Sequence, residues 1–496
     1  MNAIAARNRA PGPLSRTVGD PVPAFELETQ GAERSSSMVT LLGLYIFLLS
    51  SRALDISRIS SLHIPMILLA LLMVAALAKG DLKFALRSKI TVSFLALTTW
   101  VCVCFPFSHW RGGSLPFVVT SVESFGVYLI IVQLLRTGRD WRRVANAYAA
   151  GVLVAAILSM LFGQSVEGRV AVMAGSLADP NEFALRLVLG LPFWWHLASQ
   201  SGAGGKIVCF ALTTPIFVSF ARAGSRSALL ALIMLFAMMF LFVNLKLKAL
   251  MCGLAVVAVV AGMAFLPAYL RVRFTTLFTT HDTSQLTEDE RARLGGDIGS
   301  SEGREMLLWQ AIQMTTEHPL VGVGPGVFGD VAWDERKASS GVGGGLLVSH
   351  NTYTQISSEL GIPGFLCFVA TLLLSIKYAL SDYRRNRELN PPVARSSLYM
   401  FVCLIGLAAG IFFLSVGYGM LLAVLFGLTA SLHTTAKLEA AKIEEGSTVE
   451  QPALLDPQAT PEPRDRVQNN LLNGRHVRFG RFAGRSAAPS RSRPVK

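Results

Sequence analysis

The chain has 496 residues, of which 52% are hydrophobic and only 16% are charged. A soluble chain of this length would usually divide into several domains, whereas many bilayer spans of about 20 residues each produce a composition like this one. The formal net charge of +13 lies mainly in short loops and a tail, so it indicates membrane orientation and lipid contacts ahead of nucleic-acid binding. The six cysteines fall inside apolar runs without metal-ligand spacing and are interpreted as packing thiols.

The amino-terminal segment 1–38 is polar and contains prolines, and it lacks the continuous apolar core of a signal peptide. We predict a disordered cytoplasmic leader there. The apolar runs that follow predict an all-α fold, a polytopic transmembrane helical bundle of about 12 spans over residues 39–436. These runs are 39–54, 62–78, 90–105, 115–135, 144–163, 183–198, 206–221, 227–243, 248–266, 353–378, 396–415 and 417–433. Residues 437–496 are hydrophilic and rich in arginine, and we predict a disordered basic tail.

Lysine and arginine gather in alternate loops, which predicts an orientation because short cytoplasmic loops collect these residues. The cationic loops contain Lys79, Lys83, Arg87 and Lys89, then Arg136, Arg139, Arg142 and Arg143, then Lys246 and Lys248, then Lys377, Arg384, Arg385, Arg387 and Arg395. Both termini are therefore expected in the cytoplasm, and the large polar segment 267–351 is expected on the outer side.

The polar segment 267–351 is expected to contain short helices. Thr287–Glu290 has a capping-box pattern that predicts a short helix through Arg293. A second helix is predicted over 302–316, where apolar residues recur at helical spacing and His318–Pro319 ends the pattern. The glycines that follow argue against a regular element and predict a compact loop over the membrane surface. They are Gly322, Gly324, Gly326 and Gly329.

Two arginines, Arg222 and Arg226, occupy a very short turn between apolar runs, on the predicted outer side. Positive charge is disfavoured near hydrocarbon, so both guanidiniums are candidates for binding an anionic group such as a phosphate or pyrophosphate. The alternative is that they extend to the phosphates of lipid headgroups.

Arg304 and His350 are the candidates for chemistry in the polar segment. Arg304 is predicted to open a loop helix, where its charge opposes the helix dipole and is better used on a ligand, and Trp309 follows just over one turn later. His350 and Asn351 directly precede an apolar run, which places an imidazole at the membrane boundary, where it is suited to accept a proton from a sugar hydroxyl. A solvated arginine and a structural histidine are the alternatives.

The turn at 179–182 has a structural explanation, with Asp179 as N-cap, Pro180 as the first helical residue and an acidic residue closing a capping box. Arg169, in the same predicted outer loop, and Asn181 are weaker candidates for contacting a charged substrate. The chain shows no metal-ligand spacing, no phosphate-binding glycine loop and no GxSxG turn, so neither a metal nor a cofactor is predicted.

Three motifs occur together in this chain. They are a Gly-Arg pair with a Trp five residues after the Arg (Arg304, Trp309), HPLVGVGPGVFG at 318–329, and SHNTYTQISSELGIPG at 349–364. Weaker echoes are ARAGSRSALLAL at 221–232 and DPNEFA at 179–184. The combination resembles the O-antigen ligase and polymerase family of bacterial envelope glycosyltransferases, and the two terminal extensions lie outside the resemblance.

The resemblance implies a metal-independent glycosyl transfer on the periplasmic face of the bacterial inner membrane. The implied donor is a glycan on a polyprenyl pyrophosphate, the acceptor is a glycan, lipid or protein hydroxyl, and other envelope polysaccharide assembly proteins are further expected partners. By the same resemblance the catalytic residues are His350, Arg304, Arg226 and Arg222, and the substrate contacts are Arg169, Asn181, Trp309 and Asn351. The arginines would stabilise charge on the leaving pyrophosphate, and the histidine would orient or deprotonate the acceptor. Which arginine of the short turn faces the site stays open.

Two other classes of protein stay open at the level of sequence. A transporter or flippase for lipid-linked glycans also needs many spans and interior cations, although the chain shows no internal repeat and its candidate residues gather outside mid-membrane. A non-catalytic scaffold of an envelope assembly complex would use the polar segment as a docking surface. Within the enzyme class, ligase, polymerase and protein glycosylation are not distinguished.

Overall fold

The structure is a computed structural model that describes residues 36–56, 64–79, 82–166, 169–171, 179–267, 270–271, 274, 288–340 and 348–449. Residues 1–35 of the expected leader and 450–496 of the expected tail lie outside the described residues. Two compact units are distinguished, 1–442 and 443–496, and the second is described only as a helical segment at 443–449.

The described chain is built from helices joined by short turns. They are α1 (Ser36–Ser51), α2 (Ala53–Ile56), α3 (Ile64–Lys79), α4 (Leu82–Leu86), α5 (Lys89–Cys104), α6 (Arg111–Leu134), α7 (Gly138–Phe162), α8 (Pro180–Gln200), α9 (Ala203–Ala223), α10 (Arg226–Phe242), α11 (Leu245–Phe265), α12 (Glu288–Glu317), α13 (Phe328–Ser340), α14 (Thr352–Leu389), α15 (Pro391–Gly410) and α16 (Met420–Val449). Two short strands, β1 (Gln164–Val166) and β2 (Arg169–Ala171), form an antiparallel hairpin between α7 and α8.

The expected all-α, polytopic architecture is confirmed. Each predicted apolar run coincides with a helix, because a backbone inside hydrocarbon must satisfy its own hydrogen bonds and a helix does so within one segment. Among the described residues, eight helices are long and apolar enough to cross a membrane, and three shorter apolar helices accompany them. The number of twelve spans stays a prediction.

The polar segment between α11 and α14 differs from its predicted outline. One continuous helix, α12, replaces the two short helices, because the glycines between 294 and 301 are tolerated inside it at a cost of about 1 kcal/mol each. The loop expected to continue through Gly329 ends at Val327, where α13 begins. At the other end of the chain, α16 continues past Lys437 to Val449, through a run of good helix formers.

The core lies between the apolar helices and is filled by aromatic and aliphatic side chains. Trp141 of α7 is fully buried and donates its indole N–H to the carbonyl of Leu428 on α16 at 2.9 Å. Phe94 of α5 meets Tyr128 and Phe426 edge to face, with ring centroids 5.2 and 5.8 Å apart. These contacts tie α5, α6, α7 and α16 into the frame that carries the polar residues described below.

A break in α14 determines how the polar segment joins this frame. Gly361 adopts φ 69° and ψ −173° inside the helix, and Pro363 follows two residues later. A residue at positive φ interrupts a right-handed helix, and proline has no N–H to continue the hydrogen-bond ladder. The first turns of α14, which follow His350, are thereby separated from its longer second part.

Candidate active site

The short turn between α9 and α10 presents its two arginines differently. Gly224 takes the left-handed conformation, φ 58°, that closes α9, and Ser225 caps α10 by accepting a hydrogen bond from the N–H of Ala228. Arg222 lies exposed in the last turn of α9, where its charge complements the helix dipole. Arg226 is half-buried at the first position of α10, where the same dipole opposes its charge. The helix dipoles therefore stabilise the charge of Arg222 and oppose that of Arg226.

Arg169 and Asn181 meet at this turn. Arg169 is only 8% exposed, and it donates from Nε to the Ala223 carbonyl at 3.0 Å and from Nη2 to Oδ1 of Asn181 at 2.7 Å. The hydroxyl of Ser225 donates to the same Asn181 oxygen at 3.0 Å. Both residues predicted as substrate contacts thus join the β-hairpin, the start of α8 and the α9–α10 turn, and these donor and acceptor atoms are engaged with protein groups.

Asp179 begins α8 as the sequence predicts. Its carboxylate accepts hydrogen bonds from the backbone N–H of Asn181 at 2.8 Å and from the side-chain amide of the same residue at 3.1 Å, with Pro180 at the first helical position. The predicted N-cap is confirmed. Because Asn181 also accepts hydrogen bonds from Arg169 and Ser225, it links Asp179 to the turn between α9 and α10.

His350 is held in an unusual backbone conformation just before α14. Its φ of 51° lies in the left-handed region, which is uncommon for residues other than glycine. On one side Ser349 hydrogen-bonds to Ser415 at 3.0 Å, and on the other Asn351 caps α14 by accepting from the backbone N–H groups of Tyr353 and Thr354. The side-chain oxygen of Asn351 is committed to this cap, which is a structural role where a substrate contact was predicted.

The charges around His350 identify its neighbours. Burial lowers the pKa of the His350 imidazole, the positive charge of Arg304 lowers it further, and the carboxylate of Asp179 raises it. The three side chains therefore lie within one another's electrostatic influence. Arg304 acts on His350 although the two residues are 46 positions apart in the sequence, and so does Asp179, for which the sequence shows only a capping pattern. Their placement in one catalytic site stays a prediction.

Arg304 does not open a helix, in contrast to its predicted position. It lies 16 residues after Glu288, inside α12, so the predicted opposition to a helix dipole does not apply. It is half-buried, whereas Trp309 is 63% exposed. Five residues of an α-helix turn through about 500°, so the two side chains leave α12 on different faces.

An apolar groove begins beside these polar residues. Its volume is about 590 Å³, and its walls come from α10, α14, α15 and the turn that follows α15. Leu230, one turn after Arg226, and Tyr353, three residues after His350, both line it, together with Met234, Ala408 and Phe412. The groove is thus lined by the first turns of α10 and α14, the helices that begin at Arg226 and directly after Asn351.

Among the described residues, no group of three or more His, Cys, Asp and Glu side chains is placed to hold a metal ion. The expected independence from metals stays a prediction.

Helices long and apolar enough to cross a membrane, with polar residues gathered beside an apolar groove, define a multi-pass helical membrane protein. Residues 210–369 match the family model described as O-antigen ligase, and this agrees with the resemblance that the motifs carry. The matched region runs from α9 into α14 and contains Arg222, Arg226, Arg304 and His350, but neither Arg169 nor Asn181. The match supports an O-antigen ligase or polymerase type of function. No curated protein matches the chain.

Proposed function

We propose that the protein is a glycosyltransferase that moves a glycan from a polyprenyl-pyrophosphate donor to an acceptor hydroxyl. The reaction takes place on the periplasmic face of the bacterial inner membrane, with both chain termini in the cytoplasm. The observation that carries the proposal is the imidazole of His350, whose pKa is lowered by burial and by the charge of Arg304. An apolar groove is lined by Tyr353, three residues after His350, and by Leu230, one turn after Arg226.

The proposed chemistry assigns one task to each group. The acceptor oxygen attacks the anomeric carbon of the donor glycan, its proton passes to the imidazole of His350, and the bond from that carbon to the pyrophosphate oxygen breaks. A lowered pKa keeps the imidazole unprotonated and able to take this proton near neutral pH. Arg304 and Arg226 stabilise the negative charge that develops on the leaving pyrophosphate.

Arg226 is the better candidate of the two turn arginines. It is half-buried next to the groove wall, and the hydrogen bonds of Asn181 and Ser225 fix the start of the helix that carries it. Arg222 is exposed at a helix end that already accommodates its charge. The planar guanidinium of Arg226 can donate two parallel hydrogen bonds to a phosphate group.

The apolar groove suits the polyprenyl chain of the donor. Its lining is made of aliphatic and aromatic side chains, and Ile233, Met234 and Phe412 at its edge are exposed, as is expected of residues that face lipid in a membrane-spanning region. Each buried CH₂ group contributes about 0.8 kcal/mol. A prenyl chain in the groove would therefore anchor the donor while its pyrophosphate reaches Arg226.

Transfer by the purified protein in detergent, with a lipid-linked glycan and an acceptor but no second compartment, tests the proposal. We expect wild-type protein to form product, and His350→Ala and Arg226→Ala to lower kcat by about 100-fold or more. His318→Ala and Arg222→Ala are the matched controls, because both side chains are exposed, and they should retain activity within about threefold. Wild-type protein that forms no product in detergent but moves the glycan across the membrane of sealed vesicles would identify a transporter. Variants of full activity that lose partner proteins would identify a scaffold.

A further inference from the structure

The break in α14 releases backbone acceptors in the middle of the helix. In an unbroken helix the N–H groups of residues 362 and 363 would bond to the carbonyls of Ser358 and Glu359. Pro363 has no N–H, and the N–H of Ile362 turns instead to the carbonyl of Pro319 at 2.8 Å. Two carbonyl groups inside the protein therefore need donors from elsewhere in the chain.

The glycine loop that follows α12 supplies these donors. Val323 donates to the carbonyl of Ser358 at 2.9 Å, and Gly324 donates to that of Glu359 at 3.0 Å. The fit is close, because a Cβ atom on Gly322, whose φ is 67°, would lie 2.3 Å from the carbonyl carbon of Glu359. The motif at 318–329 is thus a backbone clamp on the break in α14.

The carboxylate of Glu359 completes the clamp. This side chain is 2% exposed, and it accepts hydrogen bonds from the backbone N–H of Gly326 at 2.9 Å and from that of Phe328. Phe328 is the first residue of α13, so the carboxylate also faces the positive end of that helix dipole. A buried carboxylate needs such donors, and their loss would leave either the acid or the loop unsatisfied.

The clamp connects the two helices that carry the proposed chemistry. Arg304 lies on α12, and α12 runs directly into the glycine loop, while His350 precedes the part of α14 that ends at the break. A hydrogen bond of 2.9 Å between Thr315 and Ser357 joins the two helices next to the clamp, because Ser357 directly precedes Ser358. The register of α12 against α14, and with it the separation of guanidinium and imidazole, therefore depends on the loop staying seated.

We propose that Glu359 is a positioning residue for the transfer reaction, acting through the glycine loop to hold Arg304 in place beside His350. The inference rests on the proposed function and adds a residue that touches neither donor nor acceptor. A displacement of about 1 Å at reacting groups can cost about 100-fold in rate, so a loosened clamp is expected to affect kcat much more than donor affinity.

Glu359→Ala, Glu359→Gln and Glu359→Asp test the inference, with wild-type transfer measured first so that a failure of the proposed function is seen separately. The alanine variant should lose about 100-fold in kcat with a donor Kd within about threefold of wild type. The glutamine variant keeps an oxygen that can accept from Gly326 and should stay within about tenfold. The aspartate variant keeps the charge and shortens the reach, so it should lose activity even where the alanine variant does not fold.

The pH profile separates positioning from a general loss of folded protein. The groups shown to act on His350 are Arg304 on α12 and Asp179 at the start of α8. When Arg304 moves away, the acid limb of kcat/KM should shift to higher pH in the alanine and aspartate variants, in the same direction as is expected for Arg304→Gln. A lowered rate with an unmoved limb in every Glu359 variant, or an alanine variant with wild-type kcat, would overturn the inference.

Discussion

Replacing Gly322 by alanine should disable the protein without removing any polar group. The new Cβ would lie 2.3 Å from the carbonyl carbon of Glu359, where ordinary contact begins at 3.4 Å, so the loop must retreat by about 1 Å. The φ of 67° adds a conformational cost of about 1–2 kcal/mol for any residue with a Cβ. We expect a loss of about 100-fold in kcat, because the retreating loop carries the end of α12 with it.

Gly303 provides the matched control for this prediction. It lies next to Arg304, but a Cβ there would meet nothing within 4 Å, and an alanine inside a helix is more stable than glycine by about 0.5–1 kcal/mol. Transfer assays in lipid nanodiscs, together with thermal unfolding, compare the two variants. Equal activity of Gly322→Ala and wild type, or equal damage by the two alanines, would refute the reasoning about the clamp.

Three further predictions concern charge, support and the groove. Burial and Arg304 both lower the pKa of His350, and the neutral imidazole is the active form, so transfer should persist at pH values below the usual pKa of histidine. Arg304→Gln should raise the pKa of His350 and move the acid limb of kcat/KM to higher pH. An unmoved limb would exclude His350 as the base. Arg169→Ala should lower the free energy of unfolding by about 2–3 kcal/mol, because it removes two charged hydrogen bonds. The control Lys206→Ala, on the exposed start of α9, should change it by less than about 0.5 kcal/mol. Equal effects in denaturant titrations would contradict the stabilising role of the Arg169 hydrogen bonds. Met234→Trp should narrow the groove and raise KM about tenfold for a long-chain donor but not for a short-chain one, and a uniform change would place the prenyl chain elsewhere.

Hydropathy was sufficient to place every long apolar helix, because a bilayer imposes one length and one backbone solution on each crossing segment. The same reasoning treated 353–378 as one uninterrupted span and overlooked the break at Gly361. The sequence LGIPG at 360–364 indicates the break, because a glycine followed two residues later by a proline leaves helical carbonyl groups without their usual N–H partners. Packing then decided what those carbonyls bind, and no local pattern contains that information.

The sequence identified the candidate residues, but it did not show which other residues each of them contacts. Arg304 and His350 were expected to approach each other, and the charge effects on His350 agree. Arg169 and Asn181 looked like substrate contacts because a charged and an amide side chain in an outer loop carry no sign of their partners. Only the fold shows that these two side chains bind each other.

The groove beside Tyr353 has a kinetic consequence for the proposed reaction. Its walls come from apolar helices, so a carrier-bound substrate would arrive by two-dimensional diffusion within the bilayer and its spent carrier would leave the same way. The quantity that governs saturation is then the mole fraction of donor among lipids, not its concentration in bulk solution. Diluting the donor with inert phospholipid at constant total donor should slow turnover as effectively as removing donor.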